Sequence, residues 1–399
     1  MKTRPWLTII GMDASGADSL VPEAEKALLG ASIIIGPERH LSMLPDVQAT
    51  QICWPTPFEQ GIQKLLSYKG TPVVMLVSGD PFWFGAGTQI VRHLETEEWI
   101  AWPARSCFSL AASKLGWAIE RTKCMGLHAA SLHRLRPYLR PGQHIMATLR
   151  DGNAVQELAA YLTETDFGRT KIEICEQLGG KQARITSCNA DNLPDQLFHH
   201  PVMVGLQVAG DGKVMPKAAG LADSWFAHDG QITKQSIRAM TLSALAPVSG
   251  QNLWDLGAGC GSIGIEWLLQ GRSMQASAVE QNSDRIQLIK HNARQLGVDW
   301  LTILHSDILS ALPQLDKPDA VFIGGGLSPD LLDQLWAILP SGTRIVANAV
   351  TIQTDRILTH SYERHGGELQ RMEMAAITAI GRMQGWKSAY PITQWTVIR

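Results

Sequence analysis

The chain has 399 residues, beyond the size at which one hydrophobic core keeps growing, so at least two domains are expected. A formal net charge of -2, with no long run of Lys and Arg, argues against nucleic acid as the main partner. Six cysteines (Cys53, Cys107, Cys124, Cys175, Cys188, Cys260) lie scattered, with no C-x-x-C pair and no Cys/His cluster, which argues against a disulfide framework or a metal site. The opening residues carry too short an apolar run for a signal peptide, and no later run approaches a membrane span. A cytoplasmic protein with no membrane partner is expected.

In chain order, WLTIIGM (6–12), ASIIIG (31–36), PVVMLVSG (72–79) and HIMATL (144–149) read as buried strands, apolar and rich in β-branched residues. Helical patterns fall between them, in PEAEKALLG, FEQGIQKLLSY and AVQELAAYLTE. Such alternation implies a mainly parallel, doubly wound sheet. The Pro- and Arg-rich patch RLRPYLRPG (134–142) is expected to divide this half into two lobes. Around 210–230 periodicity lapses while Gly, Pro and Asp accumulate. The expected organisation is a first domain over 1–209, a linker over 210–230 and a second domain over 231–399.

The second half restarts with a helix, KQSIRAMTLSALA, and then alternates again. Strands are expected in NLWDLG, ASAVE, LTILHSD, AVFIGG and RIVANAV, with helices such as SDRIQLIKHNARQLG, PDLLDQLWAIL and TDRILTHSYERHG between them. Two strand-like stretches, LQRMEMAAITAIGR and WKSAYPITQWTVIR, close the chain as an unbroken antiparallel pair. Five parallel strands and a terminal pair make a Rossmann-like, seven-stranded α/β domain, the plan of the common methyltransferases that use S-adenosylmethionine (SAM).

The strongest local signal is Asp255-Leu-Gly257-Ala-Gly259-Cys-Gly261-Ser-Ile-Gly264, between an apolar strand and an apolar helix. Alternating glycines let the backbone turn tightly and approach a ligand, and the helix start offers free N–H groups to an acceptor. Glu280 ends the next strand, where an acid can bridge a ribose diol, and Ser306-Asp307 ends the third, placed to meet an adenine amine. Gly259-Cys-Gly261-Ser-Ile-Gly264 is also literally the dinucleotide pattern, so an NAD-dependent oxidoreductase stays open. Asp255 before the glycines and the terminal strand pair favour SAM.

In the first half, Ser78-Gly79-Asp80-Pro81-Phe-Trp-Phe-Gly85 follows a buried strand, and Gly11-Met-Asp13-Ala-Ser-Gly16 follows the first one. Either loop alone reads equally well as a turn. Together in one α/β domain they are candidate ligand loops.

WLTIIGMDASGADSL, IIIGPERHLSML and VSGDPFWFGAG resemble the tetrapyrrole (corrin/porphyrin) methylases. HDGQITKQSIRAMTLSAL, LWDLGAGCGSIGIEW, VFIGGGL and IVANAVTIQTD resemble decarboxylating precorrin methyltransferase domains. The resemblance covers nearly the whole chain and implies a two-lobed tetrapyrrole-methylase α/β domain fused to the Rossmann-like one. It implies SAM-dependent methylation of a precorrin at carbons 5 and 15, with loss of an acetate carboxyl, to give precorrin-8x in cobalamin biosynthesis. The second domain would methylate one carbon and decarboxylate, and the first would methylate the other. It implies SAM positions around Gly11, Ser78, Gly79, Asp80 and Gly85, with Ser106, Cys107 and Ser109 as weaker candidates, and it suggests a homo-oligomer.

A reduced tetrapyrrole is itself an electron-rich nucleophile, so the protein needs orientation more than an activated Ser or Cys. Side chains that could steer protons or carboxylates are Asn348, Glu266, His228 and Asp229, with Lys234 and Arg238 beside them in sequence; Arg238 reads as a surface charge. Gln353 stands where the resemblance leads one to expect an acid and carries no assigned role. A rival to the two-site reading is a single methyltransferase with a non-catalytic first half.

Overall fold

A computed structural model describes residues 5–399. Contacts divide the chain into two units, the boundary falling between Lys213 and Val214.

The first unit holds two five-stranded sheets. One comprises β1 (Leu7–Met12), β2 (Ile33–Gly36), β3 (Thr50–Cys53), β4 (Val73–Ser78) and β5 (Trp99–Trp102), all parallel, in the order β3-β2-β4-β1-β5. Both of its faces are covered. Ile9, Ile35 and Met75 pack on one side, Ile10, Ile34 and Val74 on the other, which is why these strands read as continuous apolar runs.

The other sheet comprises β6 (Lys123–Gly126), β7 (His144–Thr148), β8 (Lys171–Glu176), β9 (Arg184–Asn189) and β10 (Val202–Gln207), in the order β6-β7-β10-β8-β9. Only β6 and β7 run parallel; the rest is antiparallel. This corrects the expectation of one mainly parallel sheet. The run HIMATL reveals a buried strand but not the direction of its neighbours. β8 was hidden by its charges: Glu176 is buried because Arg184 donates to it twice, at 2.7 and 2.8 Å, and the His199 amide once, at 2.7 Å.

The lobes change between β5 and β6, not at the Pro- and Arg-rich patch. Ser131–Pro137 belongs by its contacts to the second unit, where Arg134 pairs with Asp299 at 2.6 Å and Arg136 lies over the Trp225 ring. Residues 214–230 also fold there. Their lapse of periodicity reflects irregular chain, yet Met215, Leu221 and Phe226 are buried in the second unit's core.

The second unit contains β11 (Asn252–Leu256), β12 (Gln275–Glu280), β13 (Thr302–His305), β14 (Ala320–Ile323), β15 (Arg344–Ala349), β16 (Glu368–Met372), β17 (Ala375–Ile380), β18 (Met383–Ser388) and β19 (Ile392–Ile398). Seven of them form one sheet, β13-β12-β11-β14-β15-β19-β16, with β19 antiparallel to both its neighbours. The terminal pair is not unbroken as expected. β17 and β18 leave the sheet and pair only with each other, as a hairpin that exposes Ile377, Ile380, Met383 and Trp386. No helix among the described residues is long and apolar enough to cross a membrane.

Candidate functional site

In the second unit the glycine loop leaves the carboxyl end of β11, the middle one of the five parallel strands, where open α/β sheets bind ligands. Gly257, Gly259 and Gly261 all have positive φ, at 70°, 60° and 79°. A Cβ on Gly257 would lie 2.7 Å from the Gly325 carbonyl oxygen, so this glycine is needed for loop-to-loop packing. A Cβ on Gly261 would press on Ile289 at 3.0 Å. Gly259 is the open one, with nothing nearer than the Gln231 carbonyl at 3.9 Å. A ligand has room to approach the backbone there.

The acids divide by role. Glu280 accepts from the Gly259 amide and from the Asn282 amide, both at 2.9 Å, which fixes its carboxylate at the loop. Asp255 is 1% exposed and accepts from the Gly264 amide at 2.8 Å, anchoring the start of the following helix. Its other oxygen, Oδ1, is buried with no hydrogen-bond partner in the protein. Burial pushes its carboxyl up to about 7, against the Gly264 hydrogen bond and with help from the Glu280 charge. Asp307 caps the short helix Ile308–Ala311 through the Ser310 amide and stays exposed.

Glu266, expected to steer protons or carboxylates, lies in a buried network of hydrogen bonds and an ion pair. It is 1% exposed, accepts from the Gly220 and Leu221 amides at 2.6 and 3.0 Å, and pairs with Arg238 at 2.5 Å. Arg238, expected on the surface, is 0% exposed and also donates to the carbonyls of Leu221 and Thr233. Lys234 reaches Asp223 at 3.8 Å.

His228 and Asp229 are exposed, and both fold their own turn: the Gly230 amide donates to His228 Nδ1 and the Gln231 amide to Asp229. That Gln231 hydrogen bond, then Arg285 at 2.8 Å, holds the Asp229 carboxyl below its usual range. The turn still lies beside the loop, because Asn292 ties them together. This buried amide accepts from the Ala227 N–H at 2.8 Å and donates to the carbonyls of Ala227 and Cys260, at 2.9 and 3.0 Å. Nothing in the sequence singled out Asn292, which takes a position on the buried face of its helix, in line with Ile286 and Ile289.

Asn348 is half-buried at the carboxyl end of β15, two strands from the loop. It donates to Thr241 Oγ1 and accepts from Gln394, both at 2.9 Å, while Gln394 also donates to Thr241 at 3.1 Å. The three side chains fix one another. Gln353 is exposed in the first turn of the helix Ile352–His365.

In the first unit, Gly11, next to last in β1, stands at a junction of three backbones. Its Cβ would stand 2.0 Å from the Gly79 oxygen and 2.6 Å from the Ala104 nitrogen. Gly79 itself has φ 57° and donates to the Met12 carbonyl at 2.7 Å. Gly85 closes its own loop, with Pro81 and Asp80 carbonyls at 2.5 and 2.6 Å from a would-be Cβ. Asp80 accepts from the Phe82 amide, and Ser78 accepts from Arg39 at 2.8 Å. Ser106 caps the helix Cys107–Leu115 and bonds Ser109; burial pushes the Cys107 thiol up to about 11, so it is no thiolate nucleophile. These residues, Ser109 apart, line or underlie a cavity of about 830 Å³ at the carboxyl ends of β1 and β4.

Two family models match the chain: tetrapyrrole (corrin/porphyrin) methylases over residues 7–194, and the precorrin methyltransferase domain over residues 224–399. A precorrin-6Y C(5,15)-methyltransferase [decarboxylating] from Sinorhizobium sp is 40% identical over 98% of this chain and 96% of its own. The chain belongs to this methyltransferase family. A Mycobacterium tuberculosis relative with the same description is 34% identical over 98% of this chain and 100% of its own. The solved C-terminal domain of the Rhodobacter capsulatus precorrin-6Y C5,15-methyltransferase is 46% identical, covering 46% of this chain and 100% of that one, with a TM-score of 0.45. Membership of a methyltransferase family removes the dinucleotide reading of Gly259, Gly261 and Gly264. The chain is an enzyme, a methyltransferase of a family that uses SAM.

Proposed function

We propose that the chain methylates a precorrin twice, at ring carbons 5 and 15, and releases an acetate carboxyl as carbon dioxide, with one methyl-transfer site in each unit. What carries this reading is that the relatives' similarity spans both units, and each unit has its own glycine-built loop at a strand's carboxyl end. SAM supplies an electrophilic methyl group on a sulfonium sulfur.

The residues fit that donor. In the second unit the open face of Gly259 would admit it, Glu280 would accept from its ribose hydroxyls with lone pairs not used by the loop, and Asp307 would meet its adenine. The unpartnered Oδ1 of Asp255 is a polar group awaiting a partner beneath the loop. In the first unit Ser78, Gly79 and Asp80 would hold the donor, in a cavity large enough for a small ligand, with Gly11 packed against the Gly79 backbone behind them. The attacked ring carbon supplies its own electron pair, so these residues orient reactants and exclude water. Departure of carbon dioxide leaves an electron pair that takes a proton and turns the acetate arm into a methyl group. The Asn348–Gln394–Thr241 cluster is the fixed polar surface beside that step in the second unit.

The chain is proposed to work as a homo-oligomer in the cytoplasm. A two-stranded hairpin is marginal alone in water, and β17–β18 exposes apolar side chains that a second copy would cover. All six cysteines are free thiols, which suits a reducing compartment. Incubation with the ring-reduced macrocycle and methyl-labelled SAM tests the reaction. A product heavier by two labelled methyl groups and lighter by one carbon dioxide supports it; a product with one methyl group and its carboxyl intact contradicts it.

A further inference from the structure

The first unit's cavity holds one cation that its surroundings do not neutralise. Two acids line this cavity, Asp13 and Asp80. Asp13 is taken: Arg105 donates to it at 3.0 and 2.7 Å, and the Ser15 amide at 2.8 Å. Asp80 turns back to the Phe82 amide at 2.8 Å. Arg39 makes no ion pair with either.

Arg39 follows β2 in the segment IGPERHL and is half-buried. Its Nη2 contacts Ser78 Oγ at 2.8 Å and His40 Nε2 at 3.1 Å. Both partners are neutral, since burial, and then the Arg39 charge, push His40 down to about 4. A guanidinium has five N–H donors in a rigid fork, and here the Nε and Nη1 donors have no protein acceptor among the described residues. A desolvated guanidinium without an anion is costly, so the arrangement is complete only with one bound.

Two histidines stand on the same cavity. His128 bonds Thr148 through Nδ1 at 3.0 Å, and His200 feels the charge of Arg39 and the presence of His128. Burial lowers both imidazoles, so they offer neutral donors and acceptors on the cavity that Arg39 lines.

We infer that Arg39, flanked by His128 and His200, is the receptor for a carboxylate of the bound reactants, clamping it through the free side of the guanidinium fork. The inference rests on the reading of the first unit as a methyl-transfer site. A carboxylate can come from two sources, an acid arm of the macrocycle or the amino-acid end of the methyl donor. Forked Arg–carboxylate pairing fixes direction as well as affinity, so either source would be held in a single orientation.

The test titrates the full-length protein with two probes, the octacarboxylate uroporphyrin and S-adenosylhomocysteine, by calorimetry. Arg39→Gln is expected to weaken one class of sites for one probe by roughly 10- to 100-fold, with Arg39→Lys in between. Weakening confined to uroporphyrin assigns the carboxylate to the macrocycle; weakening confined to S-adenosylhomocysteine assigns it to the donor. Unchanged affinity for both probes in Arg39→Gln overturns the inference. Should Arg39→Gln not fold, Arg39→Lys carries the same comparison, because it keeps the charge and loses the fork. A wild-type chain that binds one equivalent of S-adenosylhomocysteine overturns the two-site reading instead, and the uroporphyrin arm still judges Arg39.

Discussion

Arg238 donates through Nε to Glu266 at 2.5 Å, and neither side chain is more than 1% exposed. The pair joins the helix Gln235–Leu245 to the helix Ser262–Leu269 that follows the glycine loop, and Glu266 also holds the amides of Gly220 and Leu221. Removing one partner would strand a buried charge. Arg238→Met is expected to destabilise the second unit by about 3–5 kcal/mol, read as a lower urea midpoint for its transition. In Glu266→Gln, turnover per folded chain should stay within about tenfold of wild type, since loss of a true acid–base group costs roughly 100-fold or more.

Asn292 makes three hydrogen bonds that hold Ala227 and Cys260 together, so it fixes the His228–Asp229 turn beside the loop. Asn292→Leu takes this partner from the part-buried N–H and carbonyl of Ala227 and from the buried Cys260 carbonyl, at about 1–3 kcal/mol for a buried group left unpaired. Binding of S-adenosylhomocysteine to the second unit should weaken by roughly tenfold or more, measured by calorimetry. Unaltered affinity would show that the turn and the loop are independent.

The two units are expected to respond to pH in opposite senses. Asp255 keeps its proton up to about 7 when folded, against 3.8 for an unperturbed aspartate, so stability of the second unit falls as pH rises between those values. His40 is neutral down to about 4 when folded, against 6.5 otherwise, so the first unit loses stability as pH falls through that window. Asp255→Asn should therefore gain on wild type in melting temperature between about pH 5 and about pH 8, in the second transition alone. An equal difference at both pH values would remove Asp255 from this role.

The β17–β18 hairpin exposes Trp386 at 74% and Met383 at 77%. Replacing Trp386 and Ile377 with Thr should lower the assembled mass seen by light scattering and leave the fold intact, because neither side chain is buried in the chain's own core. A mass unchanged by the double replacement would place the subunit contact elsewhere.

What could be read from the sequence follows from the range of the forces involved. The loop from Asp255 to Gly264 was legible because strand, glycines and helix are contiguous. Gly11 and Gly79 were suggestive only as neighbours of strand ends; what requires glycine at Gly11 is a backbone 68 positions away, at 2.0 Å. Arg238 looked like surface charge since its partners, Glu266, Asp223 and the Leu221 carbonyl, converge from outside its helix. The hairpin was invisible because AAITAI and QGWKS carry the same β-pattern as the strands flanking them. Arg39 stood in a recognisable segment, but only the cavity reveals that it lacks a counter-charge.

The most direct measure of the two-site account is how many donor molecules one chain holds. Calorimetry with S-adenosylhomocysteine should find two equivalents on the wild-type chain and one on each of Gly11→Ala and Gly257→Ala, whose new methyl groups would collide with the Gly79 and Gly325 backbones. One equivalent on the wild type, lost in Gly257→Ala and kept in Gly11→Ala, would contradict the account and leave the first unit without a donor site.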